Sequence, residues 1–336
     1  MKEILILVDY KGYFGTKRTA VPYRSGMNLK LITKYFLDYQ IYSRIILFSD
    51  VNFRVTNEVK DKIVLYTSSE DYNNVYKSYI EDIVYGLTLA GAKIIPPYYA
   101  LKAHNNKVFM EILRDLFISD SISSKYYGAY EEMLHHINNY KTFPLITKPS
   151  AGSMSKGVSF VGSKSQLIRK VKKLTRNRLN YFTIKDYLRK YIHKGYLPES
   201  RFRNKYIVQS YISGISFDWK ILIFGKKYYV LKRYNRKNDF RASGSGKLTF
   251  EGNPSDSLLN YAEHIFKLFN VPFISLDIGY KNNEYFLFEF QFIYFGTYTI
   301  EYAKYYHTKI HGKWEKISGK SLLEEEYVKS IVEYIE

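Results

Sequence analysis

The chain has no cysteine among its 336 residues, which excludes disulfides and thiolate metal centres and suits a reducing compartment. It also has no run approaching the ~18 consecutive apolar residues of a membrane-spanning helix. The N-terminal aliphatic run Ile4 to Val8 stops at Asp9, too short for a signal-peptide core, and a cytoplasmic protein is expected. Repeats, heptads and low-complexity tracts are missing. So are several catalytic signatures: no G-x-S-x-G or H-E-x-x-H occurs, and the seven histidines show no ligand spacing, His135 and His136 reading as an exposed helix pair. Gly152 and Gly157 have the separation of the Walker P-loop glycines, but Val158 stands where that loop needs its lysine. A second near-match, Gly244-Ser245-Gly246-Lys247, is followed by Leu248 instead of a hydroxyl residue.

What is present is ordinary globular material, 46% hydrophobic and 25% charged, in a length that suits two or three domains. Basic residues outnumber acidic ones 51 to 32, leaving a formal charge of +19. Heavy use of Lys, Ile, Asn and Tyr is the bias of an AT-rich genome and accounts for most of that surplus. An acidic substrate or a polyanionic partner is the other source.

Residues 1–100 alternate strand-like and helix-like stretches: EILILVDY, a helix near Asn28 to Tyr39, SRIILFSDV, KIVLYT, a helix through Tyr79 to Ala90, and AKIIPPYY. That alternation predicts a parallel α/β sheet, with Pro96-Pro97 as punctuation before the next domain. AHNNKVFMEILRDLF then opens a helix with Lys107 near its start. From Thr142 the pattern changes to paired strands. The basic stretch 165–204 reads as a solvated amphipathic helix pair in preference to a nucleic-acid surface.

Two segments carry chemistry. In LITKPSAGSMSKGVSFVG an apolar run ends at Lys148 and meets a Ser/Gly loop before a second apolar run; bare amides beside an ammonium suit a phosphate. In ISLDIGYKNNEYFLFEFQF the Asn282-Asn283 pair predicts a tight antiparallel hairpin. Strand alternation then sets Phe286, Phe288, Phe290 and Phe292 on one face, and Leu287, Glu289 and Gln291 on the other. Folding about the Asn pair brings Asp277 nearly opposite Glu289. Facing like charges need positive compensation. A divalent cation such as magnesium would suit these oxygen ligands, and a plain polar solvent face is the other reading.

Taken in order, these parts resemble the ATP-grasp superfamily over roughly Ala103 to Glu301. The match is closest to its carboxylate-amine ligase branch, the type of the ribosomal-protein glutamate ligases and glutathione synthetases. The resemblance implies an α/β chain, α+β toward the C-terminus, in which a Rossmann-like domain (1–100) precedes an ATP-grasp domain (101–336). A small lid-bearing subdomain would span 142–210. It also implies that Lys107 and Lys148 bind nucleotide and that Ser150, Gly152, Ser153 and Gly157 belong to the lid. The backbone of Tyr211 and Ile212 would hold adenine, with help from Gln209. Asp277, Glu289 and Gln291 fall on the magnesium positions. Arg233 and Arg241 are the catalytic candidates, holding the γ-phosphate and the substrate carboxylate. Gln291 in place of the usual Asn, Ser210 in a hinge that often carries an acid, and Met154-Ser155 in the lid depart from the pattern.

The implied reaction uses ATP and Mg2+ to activate a carboxylate as an acyl phosphate, which an amine then converts to an amide. A kinase on the same scaffold and a non-catalytic polyanion or nucleic-acid binder are the alternatives. The expected partners are a small-molecule, glycan or peptide carboxylate and an amine. Nucleic acid is not expected, and nothing in the sequence sets an oligomeric state.

Overall fold

A computed structural model of the chain describes residues 2–15, 26–69, 71, 74–118, 122–152, 157–236, 246–293 and 295–336. Along the chain these form β1 (Lys2–Val8), α1 (Leu29–Asp38), β2 (Ile41–Leu47), α2 (Thr56–Val59), β3 (Ile63–Leu65), α3 (Val75–Leu89), β4 (Lys93–Ile95) and α4 (Tyr98–Ala103). Next come α5 (Lys107–Phe117), β5 (Ser124–Ala129), α6 (Tyr130–His135), β6 (Leu145–Pro149), β7 (Ser159–Val161), α7 (Lys164–Thr175), α8 (Tyr181–Ile192) and β8 (Arg203–Ser210). The last third holds β9 (Phe217–Phe224), β10 (Lys227–Tyr234), β11 (Leu248–Thr249), α9 (Asp256–Phe269), β12 (Phe273–Lys281), β13 (Glu284–Gln291), α10 (Tyr298–Tyr302), β14 (Tyr305–Ile310), β15 (Lys313–Ser318) and α11 (Leu323–Ile335). Among the described residues no helix is long and apolar enough to cross a membrane.

The mixed α/β architecture follows the sequence pattern. β1 to β4 form a parallel sheet in the order β2-β1-β3-β4, and β1, central in it, is buried from Ile4 to Val8 as a strand covered on both faces must be. The Asn28 side chain caps α1 by accepting from the amides of Lys30 and Leu31. The later strands pair antiparallel, as their short turns require, in a seven-stranded sheet running β13-β12-β9-β10-β14-β15 with β11 beside β10. A separate antiparallel sheet has the order β5-β8-β6-β7.

Compactness divides the chain differently from the sequence boundaries. One unit combines Met1–His104 with Ser216–Glu336, and the other is Asn105–Ile215. The reason lies in the core of the first unit. α11 packs on α1, and Ile4, Ile6 and Phe36 share one buried cluster with Phe224, Phe273 and Tyr327. The stretch 142–210, expected to form the lid-bearing part, lies inside the second unit, which also takes α5 and β5. That unit has its own small core, including Tyr127, Met133, Leu167, Val171 and Tyr206.

The basic stretch does form two helices, but only α7 is buried in the ordinary way, through Leu167, Val171 and Thr175. α8 buries no residue.

Phe224 joins the strand and helix layers of the first unit, in ring contact with Tyr229, Phe273 and Phe295. Phe224→Ala should therefore cost about 3–5 kcal/mol of stability. Urea unfolding measures this, and a loss under about 1 kcal/mol would contradict the shared core.

Candidate active site

In the second unit the lysines of the sequence reading are built into a buried polar scaffold. Asn106 caps α5, so Lys107 occupies the first turn of that helix. Its amide donates to Ser150 O at 2.8 Å, and its Nζ donates to Gly152 O at 2.6 Å. Asn105 Oδ1 accepts from the Gly152 amide at 2.8 Å, and the Ser150 hydroxyl donates to Asn106 Oδ1 at 2.9 Å. The start of α5 and the exit of β6 are thus stitched together. Gly157 closes the described part of the loop with a φ of +78°, and a Cβ there would lie 2.8 Å from Pro149 Cγ, so only glycine fits without movement. Ser153, Met154 and Ser155 lie outside the described residues.

Lys148 and Gln209 are diagonal neighbours on the paired strands β6 and β8, and Lys148 Nζ donates to Gln209 Oε1 at 2.7 Å. Behind them stands a group the sequence reading missed. Glu111 and Arg114, both fully buried on α5, pair at 2.9 Å, and Ser124 Oγ donates to Glu111 at 2.7 Å. Gln209 Nε2 points to the same carboxylate at 3.4 Å. With its amide nitrogen toward Glu111, Gln209 is oriented to present its oxygen to Lys148. The sequence signal was a charged pair three apart on the apolar side of a helix, read there only as part of an amphipathic pattern. Tyr211 and Ile212 follow the end of β8, where the Tyr211 ring meets Phe160 edge to face at 5.2 Å.

In the first unit the hairpin forms as expected. Asn282 and Asn283 take φ of 50° and 65°, the left-handed pair of a two-residue turn, and Asp277 is registered directly opposite Glu289. One expectation fails. A β-bulge at Asp277/Ile278 leaves Phe288 as an extra residue, so alternation reverses there. Leu287, not Phe288, shares the buried side with Phe290 and Phe292, while Phe286 and Phe288 are half-buried. That extra residue registers Glu289 opposite Asp277, where the regular register from the Lys281–Glu284 pair would set Phe288. Gln291 Nε2 donates to Glu289 Oε1 at 3.0 Å.

Arg233 is not poised alone. Its guanidinium forms a bidentate pair with Asp218, Nε to Oδ1 at 2.6 Å and Nη2 to Oδ2 at 2.9 Å, and Nη2 also reaches Asp277 Oδ2 at 2.8 Å. Lys220 Nζ lies 3.5 Å from Asp277 Oδ1 and donates to Ser275 Oγ at 2.8 Å. Strand register makes the group: Arg233 faces Asp218 across β10 and β9, and Lys220 faces Asp277 across β9 and β12. Asp218 and Lys220 were also missed, although DWKILIF carries two opposite charges two residues apart in an apolar strand. Arg241 lies outside the described residues.

Burial pushes the Asp218 carboxyl up to about 6 in spite of Arg233, and the charge on Asp277 adds to the rise. Burial would raise Asp277 as well, but Arg233 and then Lys220 hold it below the usual carboxylate value. Burial opposes the Arg233 charge, yet Asp277 and Asp218 keep its pKa above the ordinary guanidinium value.

These donors fit a hard divalent cation. Asp277 Oδ1 is buried and accepts no hydrogen bond, and the adjacent donors are a carboxylate and an amide, the oxygen chemistry magnesium takes. Among the described residues no three His, Cys, Asp or Glu side chains cluster to hold a metal; the set here has two carboxylates, with the Gln291 amide beside them.

No sequence family and no curated protein matches the chain. Solved structures do. D-cycloserine synthetase DcsG superposes with a TM-score of 0.58 at 10% identity, covering 99% of this chain and 100% of that one. The macrocyclase MdnC from Microcystis aeruginosa, bound with precursor peptide MdnA, gives 0.52 at 9% identity over 98% and 99% of the two chains. The ADP complex of PurK, N5-carboxyaminoimidazole ribonucleotide synthetase, gives 0.53 at 9% identity over 89% of this chain and 72% of that one. The chain has the ATP-grasp fold. At these identities the ATP-grasp likeness is one of fold, and activity is argued from the residues.

The raised and lowered carboxylates titrate in opposite windows. Between pH ~4 and ~6 the folded protein keeps a proton on Asp218 that the unfolded chain releases, so this group's contribution falls as pH rises. The stabilisation from Asp277 is complete above its unfolded value of about 4 and is lost as pH drops through its lower folded value. Urea midpoints of the wild type minus those of Asp218→Asn should therefore decline from pH ~4 to ~6. A difference that rises over that window contradicts the assignment.

Proposed function

We propose that the chain is an ATP-dependent carboxylate-amine ligase using Mg2+. Lys107 and Lys148 would neutralise phosphate charge under the Ser150 to Gly157 loop, and the backbone of Tyr211 and Ile212 would hold the adenine edge. Asp277, Glu289 and Gln291 would hold magnesium, whose chemistry is to bridge phosphates and spread their developing charge. The observation that carries this reading is the facing pair Asp277 and Glu289, beside a buried guanidinium and the Lys220 ammonium, on an ATP-grasp fold.

The division of labour follows from the electrostatics. Phosphoryl transfer asks the protein for position and charge neutralisation more than for a nucleophile. Arg233 is held by Asp218 and reaches Asp277, so it fixes the position of the proposed metal ligand. Phosphate passing from ATP to a substrate carboxylate would create an acyl phosphate; attack by an amine would expel the phosphate and leave an amide. Basic residues suit an acidic acceptor such as a sugar acid, an acidic amino acid or a growing peptide.

Glu289→Gln removes one proposed metal charge at a half-buried position. ADP release with a competent substrate pair should fall by about a hundredfold or more, the upper end of what changes around metal sites cost. Unchanged turnover in that variant removes Glu289 from the metal site. Arg233→Ala should lose activity and also about 3–5 kcal/mol of stability, because the buried Asp218 and Asp277 then share only the Lys220 ammonium. Urea unfolding separates the two effects, and an unaltered midpoint would contradict the shared guanidinium. The reaction itself is tested by screening ADP release over a matrix of carboxylates and amines with mass detection of the conjugate. A phosphorylated product formed without any amine would make the chain a kinase instead.

A further inference from the structure

α8 is inside out. Apart from Phe182, its apolar residues Tyr181, Ile184, Tyr187, Leu188, Tyr191 and Ile192 recur at three- and four-residue spacing, which gathers them on one stripe. That stripe faces solvent: Tyr181 is 70% exposed, Ile184 53%, Tyr191 71% and Ile192 74%. The opposite side, with Thr183, Asp186 and Lys190, is the less exposed one. It is fastened there by its polar groups. Asp186 accepts from the Tyr196 hydroxyl and from the Glu199 amide at 2.8 Å, and Asn180 caps the first turn by accepting from Thr183 at 2.9 Å. A globular helix normally turns its apolar stripe to the core; this one is held in the reverse orientation.

The surroundings identify what the stripe would meet. From 164 to 205 the chain carries 14 Lys or Arg and 2 Asp or Glu. A second copy of the chain would bring the same charge and be repelled, so the fitting occupant is anionic. It must also accept apolar side chains. The exposed stripe is the convex side of a helix, whereas peptide partners are taken up in grooves or along sheet edges. Tyrosines mixed with Ile and Leu, flanked by Arg178, Lys185, Arg189 and Lys194, match the interfacial layer of a lipid bilayer, where aromatic rings and basic side chains are both favoured. We propose that α8 docks the protein peripherally on an anionic lipid surface, its Tyr/Ile/Leu stripe entering the headgroup layer and its basic flank binding lipid phosphates. This surface belongs to one unit and is independent of the proposed ATP chemistry.

Sedimentation of the full chain with phosphatidylcholine vesicles, with and without phosphatidylglycerol, tests the proposal. The protein should pellet with the anionic vesicles and stay in solution with the neutral ones. The triple variant Ile184→Ser/Tyr191→Ser/Ile192→Ser keeps every charge and alters only exposed side chains. It should keep its melting temperature and lose at least about tenfold in vesicle affinity. Lys185→Gln/Arg189→Gln should lose about thirtyfold. Failure of the wild type to bind anionic vesicles overturns the proposal, as does equal binding by the triple variant, which would reduce the effect to general charge. A wild-type dimer that the triple variant dissociates would reassign the stripe to self-contact. Binding to soluble polyglutamate as tight as to vesicles, and lost in the triple variant, would reassign it to an acidic polypeptide.

Discussion

One guanidinium shared by two buried carboxylates organises the C-terminal sheet. Asp218, Arg233 and Asp277 come from three neighbouring strands, and each would be costly to bury alone. Arg233 can be buried because two anions surround it, and Asp277 stays ionised because Arg233 and Lys220 face it. Glu289 is registered across from Asp277 on the edge strand β13. The group therefore explains why this sheet tolerates charges in its interior.

The other unit solves a similar problem with a different pair. Glu111 and Arg114 neutralise each other inside α5, and the carboxylate then orients Gln209, whose oxygen receives Lys148. The hydrogen bond from Lys148 to a neutral amide oxygen fixes the position of its ammonium. Lys107 is treated alike, bonded through Nζ to the carbonyl of Gly152.

Much of this was legible from residue patterns. Alternating strand and helix in the first hundred residues and the Asn282-Asn283 turn follow from periodicity and turn chemistry, which are local, whereas the direct facing of Asp277 with Glu289 comes from the bulge. The bulge at Phe288 was not legible, because one extra residue leaves the composition of a strand unchanged while reversing its faces. The pairing of Glu111 with Arg114 was not legible, since only tertiary packing reveals that a helix buries its ion pair. The division into compact units escaped for the same reason: α11 packs on α1 from the opposite end of the chain. α8 was misread because its stripe has ordinary helical spacing, and spacing does not say which way a stripe faces.

The most direct test of the central claim is the position of a metal ion. Crystals grown with Mn2+ and a non-hydrolysable ATP analogue should give an anomalous peak bound by the side-chain oxygens of Asp277, Glu289 and Gln291, about 2.0–2.3 Å from them. Arg233 should remain bidentate to Asp218 beside it. Nucleotide bound with its metal elsewhere, and Asp277 still held only by Arg233 and Lys220, would contradict the account.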